Sequence, residues 1–165
     1  MNRILRTLAL VVAIALLAPA AVAAGSPSSI SGTWDDCNFA PVVSTSGPNT
    51  IVTIGITENF FGPMSGTYVG TERDVVYADG SATFHGSGIF SGTIAGVTGT
   101  ATYRYEGVFP TDAPFHASWV LVGQSGELAS ATGRGTFGGT FGEITDACDA
   151  GTFSGSYEGS VRIAP

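Results

Sequence analysis

The chain has 165 residues, six arginines, no lysine and thirteen acidic residues, for a net charge of −7 at neutral pH. That length suits one domain with its own core. The acidic balance excludes nucleic acid as a partner, because binding a phosphate backbone relies on neutralising it with Lys and Arg.

The first element in chain order is a leader, expected over residues 1–24. Arg3 and Arg6 supply a positive start, Leu8 to Leu17 is an unbroken apolar run, and Ala18 to Ala24 is small and broken by Pro19. Ala21-Val22-Ala23 has the small-x-small form of a signal peptidase site, which predicts cleavage after Ala23 or Ala24. The alternative is an uncleaved anchor, but Pro19 interrupts the run before the roughly 20 apolar residues a span needs. No later segment is long and apolar enough to span, so the expectation is a soluble, secreted, extracellular protein with no membrane partner. The mature chain then holds four arginines against thirteen acids, a net charge of −9. Residues 25–29 form a Gly/Ser/Pro lead-in expected to be disordered, and residues 30–165 a single domain.

Within that domain alternation dominates, and no stretch keeps a 3.6-residue apolar period over three turns. Cys37 comes early and its only possible cysteine partner, Cys148, comes late. In an oxidising compartment the default is a bond between them, which implies that the first and last strands meet. Thr50 to Glu58 alternates Val52, Ile54 and Ile56 against Ile51, Thr53 and Thr57. Thr100 to Phe109 sets Ala101, Tyr103, Tyr105 and Gly107 on one face, with Thr102, Arg104 and Glu106 on the other. Phe115 to Val122 carries Trp119 and Leu121. Turn signals at Gly47-Pro48, Gly62-Pro63, Asp79-Gly80, Gly96 and Gly123 to Gly126 divide the chain into seven to nine strands. This predicts an all-β fold, a small closed antiparallel barrel of about eight strands, with a β-sandwich as the alternative.

A glycine–small–aromatic–x–glycine pattern recurs at Gly66 to Gly70, Gly135 to Gly139, Gly151 to Gly155 and Gly155 to Gly159. Each aromatic then has glycines on its own face two residues away, which suits sharp bending of a curved sheet.

Catalytic signatures are sparse. Gly123-Gln-Ser125-Gly126 lacks the last glycine of a nucleophile elbow and reads as a turn. His85 and His116 show no metal spacing to each other or to the cysteines, and Asp74, Asp79, Asp146 and Asp149 lack the ligand spacing of a calcium loop. No cofactor or metal is expected. The residues to weigh are charges inside strands: Glu58, Glu72, Arg73, Arg104 and Glu106. On an inward face Arg104 needs a carboxylate partner, because a lone buried charge is very costly. Glu58, Glu72, Arg104 and Glu106, with Tyr103, Tyr105 and Trp119, form the candidate ligand site. On an outward face the charges are solubilising and the aromatics are core.

Several segments resemble a bacterial domain family of unknown function related to the allene oxide cyclase-like barrels. They are Phe61-Gly-Pro-Met-Ser-Gly66, Asp79-Gly-Ser-Ala-Thr-Phe84, Phe90-Ser-Gly-Thr-Ile-Ala-Gly96, Gly99-Thr-Ala-Thr102, Glu106-Gly-Val-Phe109 and the glycine-rich run from Gly123 to Phe137. The resemblance implies an eight-stranded antiparallel barrel; no catalytic motif of the plant cyclase is present to carry over. Ile30-Ser-Gly-Thr-Trp34 is similar to the Gly-x-Trp opening of lipocalin- and avidin-type barrels, which implies a meander with a cavity. Three functional readings follow. The first is a barrel that binds a small apolar or amphipathic ligand inside. The second is a non-catalytic structural or surface protein with a filled core. The third is a barrel-type isomerase or cyclase using a carboxylate with Arg104.

Overall fold

A computed structural model describes residues 25–164, so the expected leader lies outside the described residues. Eight strands follow one another: β1 Ser28–Ser46, β2 Asn49–Phe61, β3 Met64–Val76, β4 Ala82–Ile94, β5 Val97–Phe109, β6 Phe115–Gly126, β7 Thr132–Phe141 and β8 Phe153–Arg162. Each pairs antiparallel with the next and β8 pairs with β1, so the sheet closes on itself as a barrel. A sandwich is thereby excluded. β1 begins inside the stretch expected to be disordered: Ser28 pairs with Val161 and Ser29 with Ser160.

Period-two alternation builds the interior. On β5, Ala101, Tyr103 and Tyr105 are buried while Arg104 and Glu106 are exposed; on β6, Phe115, Ala117, Trp119 and Leu121 are buried between exposed neighbours. Aromatic rings fill the barrel edge to face. Tyr103 lies 5.5 Å from both Phe60 and Tyr68, and stacks on Trp119 at 5.8 Å. The glycines seat these rings. A Cβ on Gly86 would land on the ring of Tyr105 from the next strand, and one on Gly159 would land on Trp119. Large rings can lie flat against the wall only where the neighbouring strand offers bare backbone.

The two ends differ. One, formed by the turns at 62–63 and 95–96 and the 127–131 connection, is sealed by Met64, Ile94, Leu121, Leu128 and Val161. Tyr157 crosses to that end, where its hydroxyl accepts from the Met64 N–H (3.0 Å) and reaches the carbonyls of Met64 (3.0 Å) and Phe61 (3.2 Å). The other end carries the 77–81 and 110–114 turns and the long 142–152 connection. Cys148 in that connection is bonded to Cys37 of β1, with Cα atoms 5.1 Å apart. The disulfide thus ties β1 to the segment preceding β8, while the β1–β8 ladder itself joins the terminal strands.

Candidate functional site

Just inside the disulfide end, the barrel turns from apolar to polar. Glu58 of β2 is 2% exposed and Glu72 of β3 is 7% exposed. Both share a face with apolar neighbours, Glu58 with Ile54, Ile56 and Phe60, and Glu72 with Tyr68, so alternation carries them inward. On β1 the same rule places Asp36 and Asn38 in phase with buried Trp34, and Asp36 pairs directly across from Glu58. Gly86 of β4 lies between Glu72 and Tyr105 in one cross-strand row. With no side chain there, the Tyr105 ring covers β4 on the side of Glu72.

These groups line a cavity of about 20 Å³, room for about one water molecule. Trp34, Asp36, Asn38, Glu58, Glu72 and Tyr105 form its floor, and Phe84, Phe109, Phe115, Phe137 and Phe153 form a collar above them. Phe109 and Phe153 are half-buried and face each other at 5.7 Å. An open central cavity for an apolar ligand, as the lipocalin-like opening implied, is not formed; rings occupy that space.

The floor is short of partners. Trp34 Nε1, Asn38 Oδ1, Glu58 Oε2, Tyr68 OH, Asp74 Oδ1, Tyr103 OH and Tyr105 OH are buried without a hydrogen bond. Asp36 is better held: its Oδ1 accepts from the Phe153 N–H at 2.7 Å, and Asn38 Nδ2 lies 3.4 Å from each oxygen. All four arginines and both histidines of the described residues are exposed, so the interior carboxyls have no cation among them.

Crowding acids into this space favours their neutral forms. Burial, then the neighbouring Asp36 and Glu72, hold the Glu58 carboxyl well above its ordinary range. Burial and the adjacent Asp74 do the same to Glu72. Asp36 is pushed up to about 7 by burial, against the opposing pull of the Phe153 N–H and Asn38. Asp74 is raised by burial, offset by Glu72 and by His85 on the outer face. Burial also drives the hydroxyls of Tyr103 and Tyr105 upward, so both stay protonated.

Of the residues singled out from the sequence, Glu58, Glu72 and Tyr105 meet in the cavity lining. Tyr103 and Trp119 are interior but lie outside that lining. Arg104 and Glu106 point outward, so among the described residues Arg104 forms no pair with an inner carboxylate, and the inward reading of that face is corrected. With Tyr103 and Tyr105 inward, the residues between and beside them have no choice of face. Asp36, Asn38, Asp74, Trp34 and the phenylalanine collar were missed. The available signal was phase: Asp36 and Asn38 continue the Trp34 alternation. Among the described residues no three His, Cys, Asp or Glu side chains are grouped to hold a metal ion.

The barrel has a counterpart of known structure. In fold it is similar to a DUF3224-family protein of unknown function from Shewanella oneidensis MR-1. The TM-score is 0.62 at 17% identity, over 85% of this chain and 99% of that one. No family model and no curated protein matches the sequence. The likeness is one of fold, in keeping with the resemblance to a bacterial family of unknown function; the allene oxide cyclase relationship is not carried by it.

Proposed function

We propose that the protein is a secreted, non-catalytic binding barrel that takes a small amphipathic molecule at its disulfide-bearing end. The observation that supports this reading is the set of unpartnered buried polar atoms beneath an aromatic collar. Buried polar groups are nearly always paired, and leaving one bare costs about 1–3 kcal/mol. Glu58 Oε2, Asn38 Oδ1, Trp34 Nε1 and Tyr105 OH all belong to residues lining one cavity. A bound polar group would satisfy several at once, while an apolar tail would rest among the phenylalanines. Binding requires the half-buried Phe109 and Phe153 to part.

The filled interior favours a second reading, a structural or surface protein whose core has no ligand. Intrinsic fluorescence separates the two, because Trp34 lines the floor. Titration with a panel of small amphipathic molecules is expected to shift emission saturably in wild type and not in Trp34→Phe, with Trp119 as the internal control. A panel that leaves Trp34 unchanged, including in a Phe153→Ala variant with a widened collar, establishes the filled-core reading.

A further inference from the structure

We infer that the protein self-associates as a two-fold dimer through the free edge of β1, from Pro41 to Thr45. This goes beyond the proposed binding function and does not rest on it. The β1–β8 ladder ends at the Asp35–Ser154 pair. Past it, Asn38 bridges to Gly151 and the Ala40 N–H reaches Asp149 Oδ1 at 2.7 Å. From there to Ser46, β1 is paired with β2 alone, and among the described residues no strand meets its second edge. Residues 40–46 are all exposed, Val42 at 67% and Val43 at 63%. Elsewhere the ladders run to within a few residues of the strand ends. An open edge carrying β-branched residues is a template for another strand.

Phase determines which groups that edge offers. The Gly47-Pro48 turn, with Gly47 at φ +60°, leaves Ser46 and Asn49 as the last pair of the hairpin. A two-residue turn of this kind makes its flanking residues a hydrogen-bonded pair. Ser46, Ser44 and Val42 therefore point their backbone groups at β2, while Val43 and Thr45 point theirs outward. The Pro41 carbonyl joins them, because it lies opposite the Val42 N–H across a trans peptide. On the far side of the bulge between Phe39 and Val42, Asn38 turns outward in the same way, to Gly151 and Ala150. This set of groups is complementary to itself. With a two-fold axis through Val43, the two Val43 residues exchange both their bonds, and each Thr45 N–H meets the Pro41 carbonyl of the other copy. Pro41 has no N–H to add, so the ladder ends there. Charge also favours a second copy. The chain carries thirteen acids against six arginines, yet Cys37 to Thr57 holds no charged residue. The hairpins thus meet where like-charge repulsion between copies is least. The contact is isologous and occupies the free edge of both copies, so assembly closes at the dimer.

The test is sedimentation velocity of the oxidised protein across a concentration series. A strip this short belongs with small, transient contacts, so a reversible monomer–dimer equilibrium with a dissociation constant of about 10–100 μM is expected. Val43→Glu and Val43→Lys each set like charges against one another at the axis and should each weaken the dimer roughly tenfold or more. Val43 is exposed, so neither change should move the Tm of the dilute protein. Mixed in equal amounts, the two variants should associate as a heterodimer, because the axis then pairs opposite charges. Hydrogen exchange at the Val43 and Thr45 amides should slow as wild-type concentration rises, while that at Ser44, already bonded to β2, should not change. Wild type that stays monomeric throughout overturns the dimer and leaves the edge protected by its own bulge and Pro41. Association that both Val43 variants retain, that their mixture fails to restore, or that grows past a dimer overturns this edge or its two-fold register.

Discussion

Glu58 concentrates the energetics of the interior in a single carboxyl. Its folded-state affinity for a proton is raised, so the native protein binds that proton more tightly than the unfolded chain does. The sign of the linkage follows: stability is fully present below the unfolded carboxylate pKa of about 4, and is lost as pH climbs through the folded value. Asp36 acts in the same direction over the window from 3.8 to about 7, worth up to about 4 kcal/mol at the upper limit. Wild-type protein is therefore expected to be most stable near pH 4, with a Tm that falls continuously toward pH 8. Glu58→Gln keeps the volume and removes the titration, so its Tm should exceed wild type at pH 8 and match or trail it at pH 4. Thermal melts at half-unit pH intervals would show the two curves crossing. Parallel curves would mean that Glu58 ionises in the native barrel at no cost.

At the scale of the element, each strand works as a two-sided strip whose glycines decide where rings may lie. Gly86 is the sharpest case, because a Cβ there meets the Tyr105 ring. Gly86→Ala forces that ring off its seat, an overpacking cost of about 1–3 kcal/mol. The expected reading is a Tm lower by roughly 5–10 °C, whereas Ser87→Ala, one residue along on the exposed face, should stay within about 0.5 kcal/mol of wild type. Equal effects at both positions would show that β4 yields as a whole and that the glycine is not a ring seat. Strands were also the level at which the sequence was most legible. Alternation and turn residues mark the eight strands and the shared face of Tyr103 and Tyr105, because a strand's period is a local property. Which face is inside is not local. For β5 it could still be argued, since turning Arg104 inward would bury a guanidinium that only a distant strand could pair. For Glu58, Glu72 and Asp36 the phase of their apolar neighbours pointed inward while their charge pointed outward, and phase won because protonation removes the charge. No run of residues announces that outcome; it depends on three strands bringing acids close enough to suppress one another's ionisation.

At the scale of the whole molecule, closure has two separate supports. The β1–β8 ladder runs from Ser28 to Asp35 against Ser154 to Val161 and joins the ring by backbone pairing, with the Phe153 N–H donating to Asp36 Oδ1 just beyond it. The disulfide spans 111 residues of sequence, for which loop-closure entropy predicts about 5 kcal/mol as an upper value. The 142–152 connection that carries Cys148 does not depend on the bond for its position. Asn38 N–H donates to the Gly151 carbonyl at 2.9 Å, Ala150 N–H to the Asn38 carbonyl at 3.0 Å, and Ala40 N–H to Asp149 Oδ1 at 2.7 Å. Gly142 and Thr152 add a further bond of 2.8 Å across the neck of the loop. The disulfide should therefore act chiefly on the unfolded chain, which it shortens, rather than on the native loop, which is already pinned. A Cys37→Ser/Cys148→Ser double variant is expected to keep its strand content at 20 °C while its Tm drops by on the order of 10–20 °C. Hydrogen exchange then distinguishes the mechanism. Native-state protection of the Ala150 and Gly151 amides, measured against that of the β1–β8 ladder, should fall only as far as global stability falls. Selective loss of protection in residues 142–152, with the ladder unchanged, would instead make the disulfide a clamp on the collar, holding the loop beside Phe153 and with it the width of the barrel's open end.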